Sequence, residues 1–336
     1  MRKRLLPLLA MAYAAIAATF HCSAASQTAD TVATSAPDIN VIAWFCQRDS
    51  AVYEIVDSEW TIEDSDTTLT AGSTSTVLIN VINSTSNGFK LKFQYLDTQV
   101  DTLAAGNDFK TRLADKFTRR LIGTSFDFET DEVGTITGFT NLPDIKKTAK
   151  EMVKDIRNEV KAMPEYKAFK NFGFNLEDLL ANFDTDMMVE SLLNDVKTIF
   201  TLLGNSYPQG ETTIYQDSPI LDEKIPTVQY GQINDDGCYT LTFDTESPIP
   251  DDLLMQLLGG MLHRMKDKSL KEDLSTNIGE ALEKMQDSNP FINRYAGYYV
   301  LPNGWPLEIL IKTTISAGNV LHIQQKNIEI IDYSFP

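Results

Sequence analysis

Three strand-like segments near the C-terminal end of this chain are joined by turns too short for a parallel return. Tyr295 to Leu301, Leu307 to Ile315 and Val320 to Ile331 are separated at Pro302-Asn303-Gly304 and at Ala317-Gly318-Asn319. A parallel neighbour needs a crossover of roughly a dozen residues or more, so such turns impose antiparallel pairing. Earlier in the chain, Phe89, Leu91, Phe93 and Tyr95 alternate with Lys90, Lys92 and Gln94, the mark of a strand buried on one side. Val77, Ile79 and Val81 supply its expected partner, and the stretch Asn83 to Gly88, ending in Asn87-Gly88, supplies the turn. Phe126 and Phe128 lead through Thr130 to Gly134 into a second short hairpin arm with Ile136 and Phe139. Val228 to Ile233, Asn234-Asp235-Asp236-Gly237 and Cys238 to Phe243 form a further hairpin.

Helical periodicity separates these strand groups. Pro143 and Asp144 suit a first helical turn. Ile145, Ala149, Met152, Val153, Ile156 and Val160 then hold one face until Pro164 stops the helix. A second apolar series runs from Leu176 to Phe183 and from Met187 to Leu203, with Gly204 placed as its C′ residue. Further helices are expected from Asp251 to about Gln286, restarted by the capping pair Ser269 and Glu272.

Strands precede helices in each half, and strands close the chain. That order predicts an α+β fold, a curved antiparallel sheet with helices packed on one face, built from two similar strand-then-helix halves. A single domain over 41–336 is expected, its halves about 41–204 and 205–336, and two smaller domains divided near Gly204–Gly210 are the alternative.

The N-terminal residues read as an export address. Arg2, Lys3 and Arg4 precede the apolar stretch Leu5 to Phe20, and small residues follow, so residues 1–24 are expected to be a signal peptide cut after Ala24 or Ala25. Residues 25–40 are Ala, Ser, Thr, Gln and Asp in the main and read as a flexible tether. The expected location is the periplasm or the extracellular space. Acylation of Cys22 is a minor alternative, because Phe20 and His21 depart from the small residues that precede a lipidated Cys. No later stretch is long and apolar enough for a transmembrane helix.

The 29 Lys and Arg against 47 Asp and Glu give a net charge of −18, which argues against nucleic acid as a partner. Three His and three Cys leave little for a metal centre, and no cofactor motif is present. No Gly-x-Ser-x-Gly elbow occurs, and His263 and His322 stand in ordinary helix and strand settings, so no catalytic residue is assigned. Asp235-Asp236 and Asp251-Asp252 fit a turn and a helix start. Asp64-Ser65-Asp66 and Asp184-Thr185-Asp186 fit a loop and a helix N-terminus. Cys46 and Cys238 either form one disulfide or remain two thiols. A Lys-rich face over 146–161 is the main basic cluster of this acidic chain.

The least ordinary segment is 253–265. Leu254, Leu257, Leu258, Met261 and Met265 give it a wide Met-bearing apolar face, and Gly259-Gly260 lowers its helix stability by about 1 kcal/mol per Gly. These five residues are the candidate ligand-binding set, with packing against the sheet as the competing explanation.

The basic leader, the two strand-then-helix halves and the closing run Tyr298-Tyr299-Val300-Leu301-Pro302-Asn303-Gly304-Trp305-Pro306 resemble uncharacterised secreted proteins of Bacteroidota. More distantly, the pattern is similar to periplasmic lipoprotein-carrier folds. The expected function is therefore a non-enzymatic exported binding or carrier protein of the cell envelope. Its ligand would be an apolar or amphipathic small molecule held between sheet and helices. The alternatives are a surface protein recognising another cell-surface protein or a glycan, and a hydrolase using acidic residues.

Overall fold

The computed structural model describes residues 37–63, 66–100, 116–162, 184–217, 224–249, 290–317 and 319–335. The expected leader, most of the tether and the apolar segment 253–265 with Leu254, Leu257, Leu258, Met261 and Met265 lie outside the described residues.

The first half contains β1 (Ile39–Val41), β2 (Ser50–Glu63), β3 (Asp66–Thr85), β4 (Gly88–Val100), β5 (Ser125–Thr130) and β6 (Ile136–Phe139). Two helices follow, α1 (Leu142–Ala162) and α2 (Thr185–Phe200). The second half supplies β7 (Asn205–Tyr207), β8 (Gly210–Asp217), β9 (Lys224–Ile233), β10 (Tyr239–Pro248), β11 (Phe291–Val300), β12 (Pro306–Ala317) and β13 (Val320–Ser334). β1 begins at Ile39, inside the stretch whose composition suggested a tether, because it pairs with β7.

All the remaining strands join one eleven-stranded sheet in the order β6-β5-β4-β3-β2-β13-β12-β11-β10-β9-β8. The sheet is antiparallel, large, curved and unclosed. Each half is a meander of consecutive strands, and the two meanders meet where β2 pairs with β13, from Ser50↔Ser334 to Glu63↔Val320. That seam makes the sheet continuous, so the halves are not two separate sheets. Register shifts interrupt the ladders at Thr76/Val77 and Val81/Asn83 of β3, at Glu59/Trp60 of β2 and at Ile330/Asp332 of β13. Such bulges bend a strand and raise its local twist, which suits a sheet that curves.

Strand alternation defines a core face. Ala51, Tyr53 and Ile55 of β2 are buried and pair with Ile79, Val77 and Ser75 of β3. Phe93 pairs with Ile79 and with Phe126, Leu91 with Val81 and Phe128, so four strands contribute one continuous apolar surface. Ile145, Met152 and Ile156 of α1 and Leu192, Val196 and Ile199 of α2 belong to the same buried cluster. At its centre Trp305 is fully buried, with ring centroids 4.6 Å from Phe45, 5.7 Å from Phe335 and 6.3 Å from Phe200. Large side chains buried in this way each contribute roughly 1.5–3 kcal/mol.

The helix ends are secured locally. Asp184 caps α2, its side chain accepting from Met187 N at 2.8 Å, so the Asp184-Thr185-Asp186 motif is a cap as its spacing suggested. Past the end of α2, Gly204 has φ +79° and donates its N–H to Val41 O at 2.8 Å. A Cβ there would lie 2.1 Å from Thr135 Oγ1, so the position excludes larger residues twice over. Gly231 of β9 serves another close approach: a Cβ would lie 2.5 Å from Pro208 O and 3.2 Å from Ile39 Cδ1. Its lack of a side chain lets the β1–β7 pair sit against the sheet.

Candidate functional site

The apolar face does not continue along the whole of the long strands. On β2 the side chains that follow Ala51, Tyr53 and Ile55 on that face are Asp57 and Glu59. On β13 the face that carries Ile330 and Ile328 continues with Lys326, Gln324 and His322. Register brings the two runs together, Lys326 opposite Asp57 and Gln324 opposite Glu59. Beyond β13, Thr313 of β12 stands opposite Gln324, and Arg294 of β11 opposite Thr313.

Over this polar area lies a cavity of about 500 Å³. Its floor includes Asp57, Glu59, Arg294, Thr313, Gln324 and Lys326, and α2 supplies Asn194 and Thr198. Ser73 and Ala71 of β3 and Ile311 of β12 also reach it. Its size lies within the range of small-molecule sites, roughly 300–1,000 Å³.

An ionic cluster ties α2 to the sheet beside the cavity. Lys326 Nζ donates to the Asp195 carboxylate and lies 3.4 Å from Asp57 Oδ1. Tyr95 of β4 donates its hydroxyl to Asp195 Oδ2 at 2.7 Å. Lys326 and Asp195 are mostly buried, whereas Asp57 keeps 46% of its side chain accessible at the cavity wall. Burial raises the Tyr95 hydroxyl well above its usual pKa, and the Asp195 charge pushes the same way. Burial also raises Asp57, opposed by Lys326 and assisted by Asp195. For Lys326, burial favours the neutral amine, but the charges of Asp195 and Asp57 outweigh it and hold the ammonium above its usual range.

A second cluster centres on Glu59. Its Oε1 accepts from Gln324 Nε2 at 2.9 Å and lies 3.1 Å from His322 Nε2. His322 and Gln324 share a face of β13, and the acid facing them comes from β2. Chemically, the site is a wall of hydrogen-bond donors and acceptors with its charges paired.

The other sequence candidates sit elsewhere. Cys46 is exposed, Cys238 is buried, and both are free thiols. Burial pushes the Cys238 thiol up, so it is a poor nucleophile. Asp236 accepts from Cys238 N at 2.9 Å in the turn before β10, and the Tyr299 hydroxyl bonds the same side chain and holds it below the usual carboxylate range. On α1 the acids turn to the short helical stretch at 116–121, Glu151 and Asp155 meeting Arg120 and Glu159 meeting Lys116. Lys147, Lys150 and Lys154 are exposed.

Sequence analysis did not single out Asp57, Glu59, Asp195 or Lys326. The available signal was a strand face that changes from Ala, Tyr and Ile to Asp and Glu without a change of period.

No protein-family model matches the chain, and no curated protein matches it. Among solved structures it is similar to lipovitellin, described in terms of lipid–protein interactions, at 10% identity and a TM-score of 0.38, covering 87% of this chain and 26% of that one. The chain thus spans about a quarter of the lipovitellin chain it matches. It is also similar to DynF from the dynemicin biosynthesis pathway of Micromonospora chersina, at 4% identity and a TM-score of 0.20, covering 92% of each chain. A third, the dehydratase domain from the CurK module of curacin polyketide synthase, has 9% identity and a TM-score of 0.13, over 84% of this chain and 75% of that one. All three scores lie below 0.5 and carry no functional argument. Among the described residues, no helix is long and apolar enough to cross a membrane.

Proposed function

We propose that this protein is a non-enzymatic binding or carrier protein that holds an amphipathic small molecule between its sheet and its helices. The observation that carries this reading is the cavity of about 500 Å³ between α2 and the sheet, whose polar residues are presented by regular strands. Elements of fixed geometry present ligand groups more reproducibly than loops do. Polar side chains from β2, β11, β12, β13 and α2 line the cavity. A ligand with a polar end therefore fits it better than a bare hydrocarbon. The reading extends to export through the N-terminal leader, to a helical layer on one face of the sheet and to the likeness with envelope lipoprotein carriers.

Native mass spectrometry of the protein purified gently from its own host tests this. The expected result is a discrete adduct lost on organic extraction. Asn194→Trp, which fills the α2 side of the cavity from a half-buried position, should reduce the adduct at least tenfold with little change in melting temperature. A clean apo mass, together with no uptake of any amphipathic fluorescent probe, would sink the proposal. The same spectrum tests export, since cleavage predicts a chain beginning at Ala25 or Ser26.

A second reading, recognition of a cell-surface protein or glycan, is favoured by the opposite face of β8 and β9. There Tyr215, Val228 and Tyr230 are 46%, 41% and 38% exposed, near a sheet edge. Loss of a cross-linked surface partner in Tyr215→Ser/Tyr230→Ser would support it, and identical cross-linking patterns would remove it.

A further inference from the structure

The cavity floor belongs to a longer feature. Cross-strand register places Thr227, Thr245, Arg294, Thr313, Gln324 and Glu59 in one unbroken row across β9, β10, β11, β12, β13 and β2. At about 4.8 Å between neighbouring strands, this belt runs roughly 24 Å across the sheet. Apolar side chains border it along β11 and β12. Ala296 and Ile311 precede it on one side, and the buried Ile292 and Ile315 follow on the other. A molecule lying across β11 and β12 would therefore meet a polar stripe between apolar margins.

The belt's charges point to the ligand's polar end. An anionic group would approach Lys326 only beside Asp57 and Asp195, which already hold it. A cationic group would meet Arg294 and Lys326, while Glu59 already accepts from Gln324 and contacts His322. Both cations are already partnered. A hydroxyl has neither difficulty, because it donates to a carboxylate or amide oxygen and accepts from guanidinium, amide or hydroxyl donors. Several hydroxyls on one ring or chain would match a row that alternates such groups.

We infer that the amphipathic ligand of this cavity carries an uncharged, hydroxyl-rich headgroup of the glycolipid class, seated on the Arg294–Thr313–Gln324–Glu59 row. This inference rests on the proposed binding function and specifies what is bound.

The test uses three probes with the same tail, n-octyl β-D-glucoside, n-octyl sulfate and n-octyltrimethylammonium, titrated below micelle formation into the full chain by calorimetry. The glucoside should bind at least tenfold more tightly than either charged probe. Thr313→Val and Glu59→Gln should each weaken the glucoside at least fivefold while melting temperatures stay within a few degrees, and the near-isosteric Thr313→Val guards against a misfolded variant. If a charged probe binds as well as the glucoside, or if neither substitution matters, the headgroup assignment falls while the amphipathic cavity stands. If no octyl probe binds, the headgroup assignment falls together with its premise.

Discussion

The core face of this sheet has two regions built from the same strands. Tyr53, Phe93, Phe126 and Trp305 belong to one buried, mainly apolar cluster that also takes in residues of α1 and α2. A few residues further along β2 and β13, the same face carries Asp57, Glu59, Lys326 and Gln324, and there a cavity remains beneath α2. The first region has the form of a stabilising core and the second that of a place kept open. The contrast suggests that shape and polarity change together: where side chains stop interdigitating, they become groups that water or a ligand can satisfy.

The largest expected effect lies in the apolar region. Trp305→Ala should lower stability by about 3–5 kcal/mol, read as a fall in the urea midpoint at constant slope. A loss below about 1 kcal/mol would mean that the aromatic cluster is not the stabilising centre. Next comes the ionic cluster. Lys326→Met leaves Asp195 mostly buried with only Tyr95 as a partner and should cost about 3 kcal/mol, whereas Lys326→Met combined with Asp195→Leu should recover most of that loss. Additive destabilisation in the double variant would show that α2 is not held to the sheet by this pair.

Alkaline pH sharpens the same comparison. Lys326 and Tyr95 both have folded pKa values raised above their unfolded ones. Their contribution is therefore complete below the unfolded values, about 10.4 and 10, and is lost as pH rises towards the folded ones. Stability should fall above about pH 10 in the wild type and fall less steeply in the Lys326→Met/Asp195→Leu protein, as measured by urea titration at each pH. Parallel pH profiles would remove the cluster as the cause. The smallest effect belongs to the cavity rim, where Gln324→Leu should change stability by no more than about 1 kcal/mol while weakening glucoside binding. A larger loss of stability would mark the belt as structural.

Hairpins and helices were legible in the sequence because their signals are local. Alternation at Phe89 to Tyr95 and a helical repeat from Ile145 to Ile156 correspond to β4 and to α1. β2 was harder to see, because beyond Ile55 the apolar residues change faces, to Val56, Trp60 and Ile62, and no single apolar face runs along the strand. The β2–β13 seam has no connecting turn, so nothing local announces which distant strand β2 will choose. The candidate site inherits that difficulty, since its residues become neighbours only through register. Segment 253–265 stood out in the sequence for its composition, a signal that polar residues scattered over several strands do not give.

The seam also bears on the order in which this protein can be built. His322 and Glu59 touch across it although 263 residues separate them in the chain. The N-terminal meander can form hairpin by hairpin as the chain emerges during synthesis, since each strand pairs with the next. The cavity floor cannot, because it includes residues of β13. Contacts so remote slow folding, and until that strand arrives β2 is an unpaired edge able to capture another chain. A chain truncated before β13 should therefore retain its first meander yet be unable to assemble the cavity, and its exposed edge should make it prone to aggregate.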